Sequence, residues 1–519
     1  MDLLVKWSSN MPTFEYLLAG FAVAGFYGYY VKHINPTDAR RPPGPKSLPL
    51  IGNLLDIPQG DEAGVFAKWA KQYGEIVYLE ALGRPLIILN SPRWTHELLK
   101  KRSLVSSDRI NLPMMHDLLG LGWFLPQAHY GESWRRLRLL FHNALRANVV
   151  ESYHDLQYEE TLAMLRRLLT SPEEFRSHIR YSVQAKILRI AYGYRTKGLD
   201  DPLIIMEEEG MGAAVDATAP GKFLVDLIPA LKYVPEWVPG SSFQRKAREW
   251  REMLYILRTE PFERVKQEMK NGNASHCFVS TLLEEAHDRP SDQDIKDSAA
   301  AVYGAGSDTT FASLYTFILA MLLHPEVQAR AQAELDCVLG GRLPQMEDRA
   351  HLPYLEATYK ELMRWEPVAP IGVPHMLSQD VICDRYFLPA GSTVFGNTWS
   401  ITHFLNLQLK FTIVLVFDPS RFLDKEGKLV TGVVDPMDFV FGYGRRVCPG
   451  RHLADVSVWI TICAILTVFD ILPAKDDKGS VIEVKPKFVS GVIRSPKPFN
   501  CIIKPRSQAA ANLVVGAGV

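Results

Sequence analysis

The chain has 519 residues, and its 58 basic and 58 acidic side chains balance to a formal net charge of zero, which gives no support for nucleic-acid binding. Length alone allows about three domains, but no repeat, linker or low-complexity block divides the chain after its N-terminus. The six cysteines are widely scattered and form no C-x-x-C pair, which disfavours a zinc or iron–sulfur site and a disulfide framework.

The first apolar stretch predicts a membrane anchor. Residues Phe14 to Val31 are apolar or aromatic almost throughout, and about 18 residues is near the lower limit for crossing a bilayer. Basic residues between Lys32 and Arg41 follow, which places the main body in the cytosol. We therefore predict an uncleaved anchor over residues 1–35. The alternative is a cleaved signal peptide ending near Ala22-Val23-Ala24, although the apolar run continues past that point.

Extended structure is predicted after the anchor. Residues 36–50 include Arg41-Pro42-Pro43-Gly44-Pro45. Because proline fixes φ and lacks an N–H donor, this segment is interpreted as a stiff, non-helical hinge. Farther on, Ile76–Leu79 and Pro85–Leu89 flank Gly83-Arg84 and predict a β-hairpin.

Two stretches in the next part of the chain each allow two interpretations. Trp134-Arg135-Arg136-Leu137-Arg138 begins a basic amphipathic helix on which Trp134 and Arg138 share a face. A solvated cationic face is the common explanation of such a pattern. Around Ala219-Pro220-Gly221 the chain breaks and continues through several prolines. A mobile segment that admits substrate and ordinary cover for the core explain these breaks equally well.

A locally costly sequence lies inside a long helix predicted from about Ser298 to Leu323. Ala305-Gly306-Ser307-Asp308-Thr309-Thr310 places a glycine, an acid and hydroxyl groups in mid-helix. A threonine hydroxyl there can bond a carbonyl and bend the helix. A patch of this kind in a buried helix is where a functional site is expected.

Two further residue groups have common structural explanations when taken alone. Glu361 and Arg364 stand three apart on a predicted helix, a spacing frequent on exposed helices. His375 follows an apolar extended stretch and is either a ligand-binding residue or a surface histidine.

The strongest motif is Phe441-Gly442-Tyr443-Gly444-Arg445-Arg446-Val447-Cys448-Pro449-Gly450. Its glycines permit turn angles closed to other residues and let backbone approach a flat ligand. Cys448 lies just before an apolar helical pattern, where amides and the helix dipole favour a thiolate over a thiol. Phe441 is placed to shield the sulfur, and Arg446 to reach an anion. For an arbitrary Cys-Pro-Gly, a buried free cysteine in a turn is the simpler explanation.

The full pattern F-x-x-G-x-R-x-C-x-G resembles the haem-binding loop of the cytochrome P-450 superfamily, with details closest to fungal, membrane-anchored enzymes of secondary metabolism. The resemblance spans nearly the whole chain after the anchor. It implies a mainly α fold with a smaller β region, in which one N-terminal transmembrane helix precedes a triangular helical domain over residues 51–506. We expect the tail, residues 507–519, to be disordered.

The resemblance also implies roles for individual residues. Cys448 is the axial thiolate ligand of the iron of haem b, with Phe441 and Gly442 in the same cofactor-binding loop. The haem propionates are bound by Arg446, Trp134, Arg138 and His375. Asp308 and Thr309 form an acid–alcohol pair in which Thr309 hydrogen-bonds dioxygen at the haem and Asp308 relays protons through water.

Away from the haem, the resemblance makes Glu361 and Arg364 a buried pair that Arg421 completes. Ser420 stands in that partner segment where an acid is usual. The chain departs from the family pattern over Phe404–Ile413, whose apolar alternation predicts a β-strand. We interpret this segment as a gene-model error such as a retained intron, because both flanks rejoin the pattern.

The activity implied is that of a monooxygenase, which inserts one oxygen atom from O2 into a hydrophobic organic substrate in secondary metabolism or xenobiotic oxidation. Electrons come from NADPH through a separate diflavin reductase, since no nucleotide or flavin motif is evident. The expected location is the endoplasmic reticulum membrane, with a single pass and the catalytic domain facing the cytosol. The alternatives are a haem-thiolate isomerase or dehydratase without an electron donor, and an inactive haem-binding membrane protein if residues 404–416 are genuine.

Overall fold

The computed structural model describes residues 40–218, 222–284, 290–408, 415–430, 432 and 434–517. The predicted anchor and the start of the hinge lie outside these residues. The α-helices are α1 Glu62–Tyr73, α2 Pro92–Thr95, α3 Ser103–Ser106, α4 Glu132–Leu145, α5 Ala147–Val150, α6 His154–Thr170, α7 Phe175–Tyr192, α8 Pro202–Thr218, α9 Leu224–Leu227, α10 Ser242–Lys270, α11 Phe278–Glu284, α12 Asp292–Leu323, α13 Pro325–Leu339, α14 Pro353–Trp365, α15 Thr398–Gln408, α16 Met437–Val440, α17 Arg451–Val468 and α18 Gln508–Gly516. The strands are β1 Ile76–Ala81, β2 Arg84–Leu89, β3 His375–Met376, β4 Val381–Cys383, β5 Tyr386–Leu388, β6 Thr393–Gly396, β7 Phe469–Pro473 and β8 Cys501–Pro505. The expected mainly α fold with smaller sheets is therefore confirmed.

The β region has the predicted hairpin at its edge. β1 and β2 pair antiparallel, and the sheet continues in the order β1-β2-β6-β3. The described part of the hinge packs against this hairpin, since the Tyr78 N–H donates to the Pro43 carbonyl at 3.0 Å. A Cβ added to Gly44 would lie 1.9 Å from the Tyr78 carbonyl oxygen, so only glycine allows this close approach.

The long helix α12 lies at the centre of the molecule. It packs against α7, α4 and α17, and its residues are buried around most of its circumference. A helix that is apolar all round belongs in a protein core or in a membrane. By length and hydropathy α12 and α17 could each cross a bilayer, but 78% of the relevant window is buried within the protein in both cases. These two helices therefore form the core that supports the site.

A buried ionic network ties α14 to the segment before the cysteine motif. Arg364 donates to Glu361 through Nε at 2.6 Å and Nη2 at 2.8 Å, and Arg421 Nε lies 3.4 Å from Glu361 Oε1. The backbone N–H of Asp418 also donates to Glu361, at 2.8 Å. The structure thus brings together the Glu361–Arg364–Arg421 network implied by the resemblance.

The strand expected over Phe404–Ile413 is wrong as far as residue 408, because α15 runs to Gln408. Asn397 stands before this helix, and its side chain accepts a hydrogen bond from the Ser400 N–H at 3.2 Å, as a helix cap does. Once the first helical turns are fixed, adding further helical residues is favourable. This outweighs the strand preference that the apolar alternation indicates. Residues 409–414 lie outside the described part of the chain.

The disordered tail is also corrected, because Gln508–Gly516 is helical. The Ser507 hydroxyl accepts a hydrogen bond from the Ala510 N–H at 3.1 Å and caps the helix start. Alanine is the best helix former, and Val514 is fully buried against the core. Capping and burial of this apolar residue together order the segment.

Candidate active site

The cysteine loop is fixed by short backbone contacts. The Cys448 N–H donates to the Phe441 carbonyl at 2.7 Å, which closes the loop just before α17 begins. Gly442 and Gly444 have φ values of 83° and 54°, in the region that favours glycine. At Gly444 an added Cβ would stand 2.1 Å from the Leu99 carbonyl oxygen. This glycine therefore serves close packing against the preceding helical segment rather than approach to a ligand.

The protonation expected for Cys448 needs correction. Burial raises the pKa of its thiol, while a hydrogen bond from the Gly450 backbone and the charge of Arg138 act in the opposite direction. The hydrogen bond expected from a nearby amide is present and lowers the pKa of Cys448, but desolvation raises that pKa by more. The protein part alone thus favours the thiol, and a stable thiolate requires an additional positive centre such as a metal ion.

A cavity of about 320 Å³ lies between α12 and α17, and the cysteine loop forms part of its wall. Its volume is in the range of ordinary small-molecule sites. Of the nine residues predicted for the site, Asp308 alone is missing from the lining. The predicted residues that line it are Trp134, Arg138, Thr309, His375, Phe441, Gly442, Arg446 and Cys448.

One edge of the cavity carries guanidinium groups that form no ion pair with any described carboxylate. Arg446 donates to the carbonyls of Ser107 at 2.7 Å and Ala128 at 2.8 Å, and burial lowers its pKa to about 10. Arg138 lines the same edge, and burial lowers its pKa too. Buried charges are ordinarily paired, so this edge is built for an anion.

Two aromatic side chains at this edge also have unused hydrogen-bonding capacity. Trp134 is buried and its Nε1–H has no partner among the residues that the structure describes, while the Arg446 guanidinium lies 4.5 Å from its ring centroid. His375 is buried rather than on the surface, and its Nδ1 donates to the Ser106 carbonyl at 2.7 Å. Burial and the charge of Arg109 lower the pKa of His375, so the ring is neutral and Nε2 remains for another partner.

On the opposite wall, α12 separates the acid from the alcohol. The Thr309 hydroxyl lines the cavity and donates to the Ala305 carbonyl at 2.9 Å, the back-bonding expected from the sequence. The helix nevertheless continues unbroken through this patch. Asp308 instead accepts a hydrogen bond from Arg180 Nη1 of α7 at 2.9 Å. The structure thus brings Thr309 to the cavity and holds Asp308 in an ion pair outside its lining.

Two buried cations of the cavity wall were missed in the sequence. Arg109 is 4% exposed and donates to the carbonyls of Val373 at 2.7 Å and Pro374 at 2.8 Å. Lys186 of α7 donates to the Thr461 hydroxyl at 2.9 Å, and burial lowers its pKa to about 7. Neither belongs to a motif, and the only available signal for Arg109 was its place at the start of an irregular apolar segment.

Comparison with known proteins agrees with this geometry. A family model described as cytochrome P450 matches residues 42–503. A cytochrome P450 monooxygenase of Armillaria gallica is 40% identical over 91% of this chain and 93% of its own length. Another, from Coprinopsis cinerea, is 38% identical over 98% of this chain and 96% of its own length. A third, from Ampulloclitocybe clavipes, is 38% identical over 91% and 93%. The chain therefore belongs to the cytochrome P-450 family of monooxygenases.

Proposed function

We propose that this chain is a haem-thiolate monooxygenase that inserts one oxygen atom of O2 into a hydrophobic organic substrate, while the other oxygen leaves as water. Membership of the family implies haem with a cysteine thiolate ligand. The observation that carries the proposal for this chain is one cavity whose wall contains the Cys448 loop, the unpaired cationic edge and the Thr309 hydroxyl. The fungal relatives, which are named cytochrome P450 monooxygenases, support this reaction class, and the role we propose for it is in secondary metabolism or xenobiotic oxidation.

The described residues fit haem b on chemical grounds. Haem carries two carboxylates on one edge, and the guanidiniums of Arg109, Arg138 and Arg446 supply positive charge that no described carboxylate pairs. The unpartnered indole N–H of Trp134 supplies a further donor. Charge-assisted hydrogen bonds to such groups contribute about 1.5–3 kcal/mol each. Cys448 would hold the haem iron through its thiolate, and haem held in this way would supply the chemistry of dioxygen cleavage.

The chain's own residues bind the substrate and deliver protons. Apolar side chains such as Met115, Phe124 and Ile493 line the cavity, so they exclude water and select a hydrophobic molecule. The Thr309 hydroxyl lies at the cavity surface, where it can turn from the Ala305 carbonyl to donate to a bound ligand, and Asp308, which lies outside the cavity lining, passes protons toward it.

Substrate entry is proposed beside α9 on the membrane side. Leu224, Ile228, Tyr233 and Trp237 are exposed there, with Trp237 at 83%, although Phe223 packs against the core. Exposed apolar and aromatic groups suit the interface of a bilayer. The region thus combines core cover with a surface for the endoplasmic reticulum membrane, to which residues 1–35 would anchor the chain.

Electrons are proposed to come from NADPH through a diflavin reductase on the cysteine side. Arg135, Arg445 and Arg451 are exposed around the helix and loop that carry Cys448 and Arg138. An exposed basic patch attracts an acidic partner and accelerates its association.

The test is replacement of Cys448 in the full-length protein. Haem content and the reduced carbon-monoxide difference spectrum are measured for wild type, Cys448→Ala and the exposed-cysteine control Cys337→Ala. We expect the thiolate spectrum in wild type and control, and its loss in Cys448→Ala. Protein without porphyrin, or an unaltered Soret band in Cys448→Ala, contradicts the proposal. Product formation with a reductase and NADPH then tests the oxygenation, and turnover without NADPH would favour an isomerase or dehydratase.

A further inference from the structure

A second carboxyl group lies behind Asp308, where α7, α8 and α12 meet. Arg180 and Gln184 stand four residues, and so about one turn, apart on α7. Arg180 Nη1 donates to Asp308 Oδ1 at 2.9 Å, and Gln184 Nε2 donates to Glu207 Oε2 of α8 at 2.8 Å. One face of α7 therefore holds the acid of α12 and the acid of α8 in successive turns.

Glu207 is buried and forms no ion pair with a cation among the described residues. It is 1% exposed, and no group in the described part of the chain hydrogen-bonds to its Oε1 or to the Oε1 of Gln184. Both oxygens are hydrogen-bond acceptors, and buried acceptors normally have a donor. A proton on Glu207 would supply that donor.

The charged groups that face Glu207 favour its acid form. Asp308 of α12 and the neighbouring Glu208 are anionic, and the phenol of Tyr303 on α12 is neutral. Among the described residues the cation that faces Glu207 is Arg180, which already binds Asp308 and lies 3.7 Å from Glu208 through Nε. Burial, then the charge of Asp308, raise the pKa of Glu207 to about 8. A carboxyl in these surroundings holds its proton at neutral pH.

We propose that Glu207, buried between α7 and α8, is the protonated carboxyl that supplies protons to Asp308. This inference rests on the proposed monooxygenase function. The ion pair with Arg180 requires Asp308 to be ionised, so Asp308 accepts and passes on protons but does not store them. In each delivery the O–H bond of Glu207 breaks and an O–H bond forms on Asp308. Glu207 regains a proton from solvent, on the side where the Glu208 side chain is 43% exposed.

The matched variants are Glu207→Gln and Glu208→Gln in the full-length, haem-loaded protein. Glutamine keeps the shape of Glu207 and can still accept from Gln184, but it has no acidic proton to release. A purely structural role is therefore satisfied by Glu207→Gln, whereas a proton-source role is not. Glu207→Asp, which keeps an acid on a shorter side chain, should retain the function that Glu207→Gln loses, and Glu207→Met, which has no acid, replaces the glutamine variant if that variant fails to fold.

Infrared spectroscopy reads the proton without any turnover. At neutral pH the difference spectrum of wild type minus Glu207→Gln should show the carbonyl stretch of a buried protonated carboxylic acid, with a shift in deuterium oxide, and the spectrum of wild type minus Glu208→Gln should not. The subtraction removes bands from other buried carboxyls such as Glu366, whose pKa is raised by burial to about 7. Absence of the band from the wild type minus Glu207→Gln spectrum overturns the assignment. Because this readout needs no oxygenation, it remains decisive even if the proposed function fails.

Turnover is measured with a reductase, NADPH and an apolar aryl ether whose dealkylation releases a fluorescent phenol. A residue that transfers a proton directly to the reacting group contributes about 100-fold or more to the rate. Glu207 would act only through Asp308, so we expect its loss to have a smaller effect and to lower product per NADPH about tenfold. Product per NADPH should fall above about pH 8 in wild type and become independent of pH there in Glu207→Gln. Reaction driven by hydrogen peroxide, which brings its own protons, should be retained. Unchanged product per NADPH and an unchanged pH profile in Glu207→Gln overturn the role, and absence of product in wild type refutes the proposed function instead.

Discussion

Removing the carboxylate of Glu361 is expected to prevent stable folding. At least four hydrogen bonds end on this side chain, from Arg364, Arg421 and the Asp418 backbone. The Glu361 side chain is 0% exposed, and the two arginine side chains are 2% and 3% exposed. Glu361→Ala therefore leaves two neighbouring guanidiniums in the interior without this carboxylate. Loss of one partner from a buried pair costs about 3–5 kcal/mol, which is a large part of a total stability of about 5–15 kcal/mol.

The assay compares the yield of haem-loaded protein and the urea midpoint for wild type, Glu361→Ala and Glu347→Ala. Glu347 is an exposed glutamate near the start of α14, so its replacement should change stability by no more than about 0.5 kcal/mol. We expect Glu361→Ala to lose most of the protein that gives a reduced carbon-monoxide spectrum, and any folded remainder to unfold at lower urea. A wild-type yield and midpoint for Glu361→Ala would refute the reasoning.

The remaining predictions concern the cavity and its loop. Gly444→Ala should lower the yield of haem-loaded protein more than Gly479→Ala does, since both glycines have positive φ but only at Gly444 does an added Cβ meet the Leu99 carbonyl; equal yields contradict this. Thr309→Ala should bind haem normally but release more peroxide per NADPH, and unchanged coupling of NADPH use to product counts against its role. Burial lowers the pKa of Lys186 to about 7, so from about pH 7 to 10.5 the unfolded chain binds more protons than the folded one, and the stability contributed by this group rises with pH across that window. Lys186→Met should flatten that rise in denaturant titrations, and an unchanged slope contradicts it.

Local sequence patterns predicted those elements that are determined by residues near one another in the chain. The β1–β2 hairpin follows from two apolar runs around a glycine turn, and its antiparallel pairing is confirmed. The same kind of pattern failed over Phe404–Gln408, because an upstream cap at Asn397 and the packing of α15 decide the backbone there. Alternation reports which side chains are apolar, but two competing backbone geometries can both accommodate a short apolar run.

The site shows the same division between local and distant causes. The cysteine loop is contiguous, so one pattern contained Phe441, Arg446 and Cys448 together. Arg109 belongs to the same cavity, but its hydrogen-bond partner Val373 lies 264 residues away, and only folding makes that cation part of an anion-binding edge.

Glu207 is likewise an ordinary helix residue until Gln184 of another helix buries and orients it. A motif can therefore reveal the groups that touch a cofactor, whereas the groups that set charge and proton supply around it come from helix packing. In the described part of this chain, buried polar atoms without partners mark a group of each kind, Trp134 Nε1 for the first and Glu207 Oε1 for the second. An unpartnered buried donor indicates an acceptor that the protein does not itself supply, and an unpartnered buried carboxyl oxygen indicates a proton or a water. The cavity edge at Trp134 therefore receives an anionic ligand, whereas the cluster at Glu207 stores a proton.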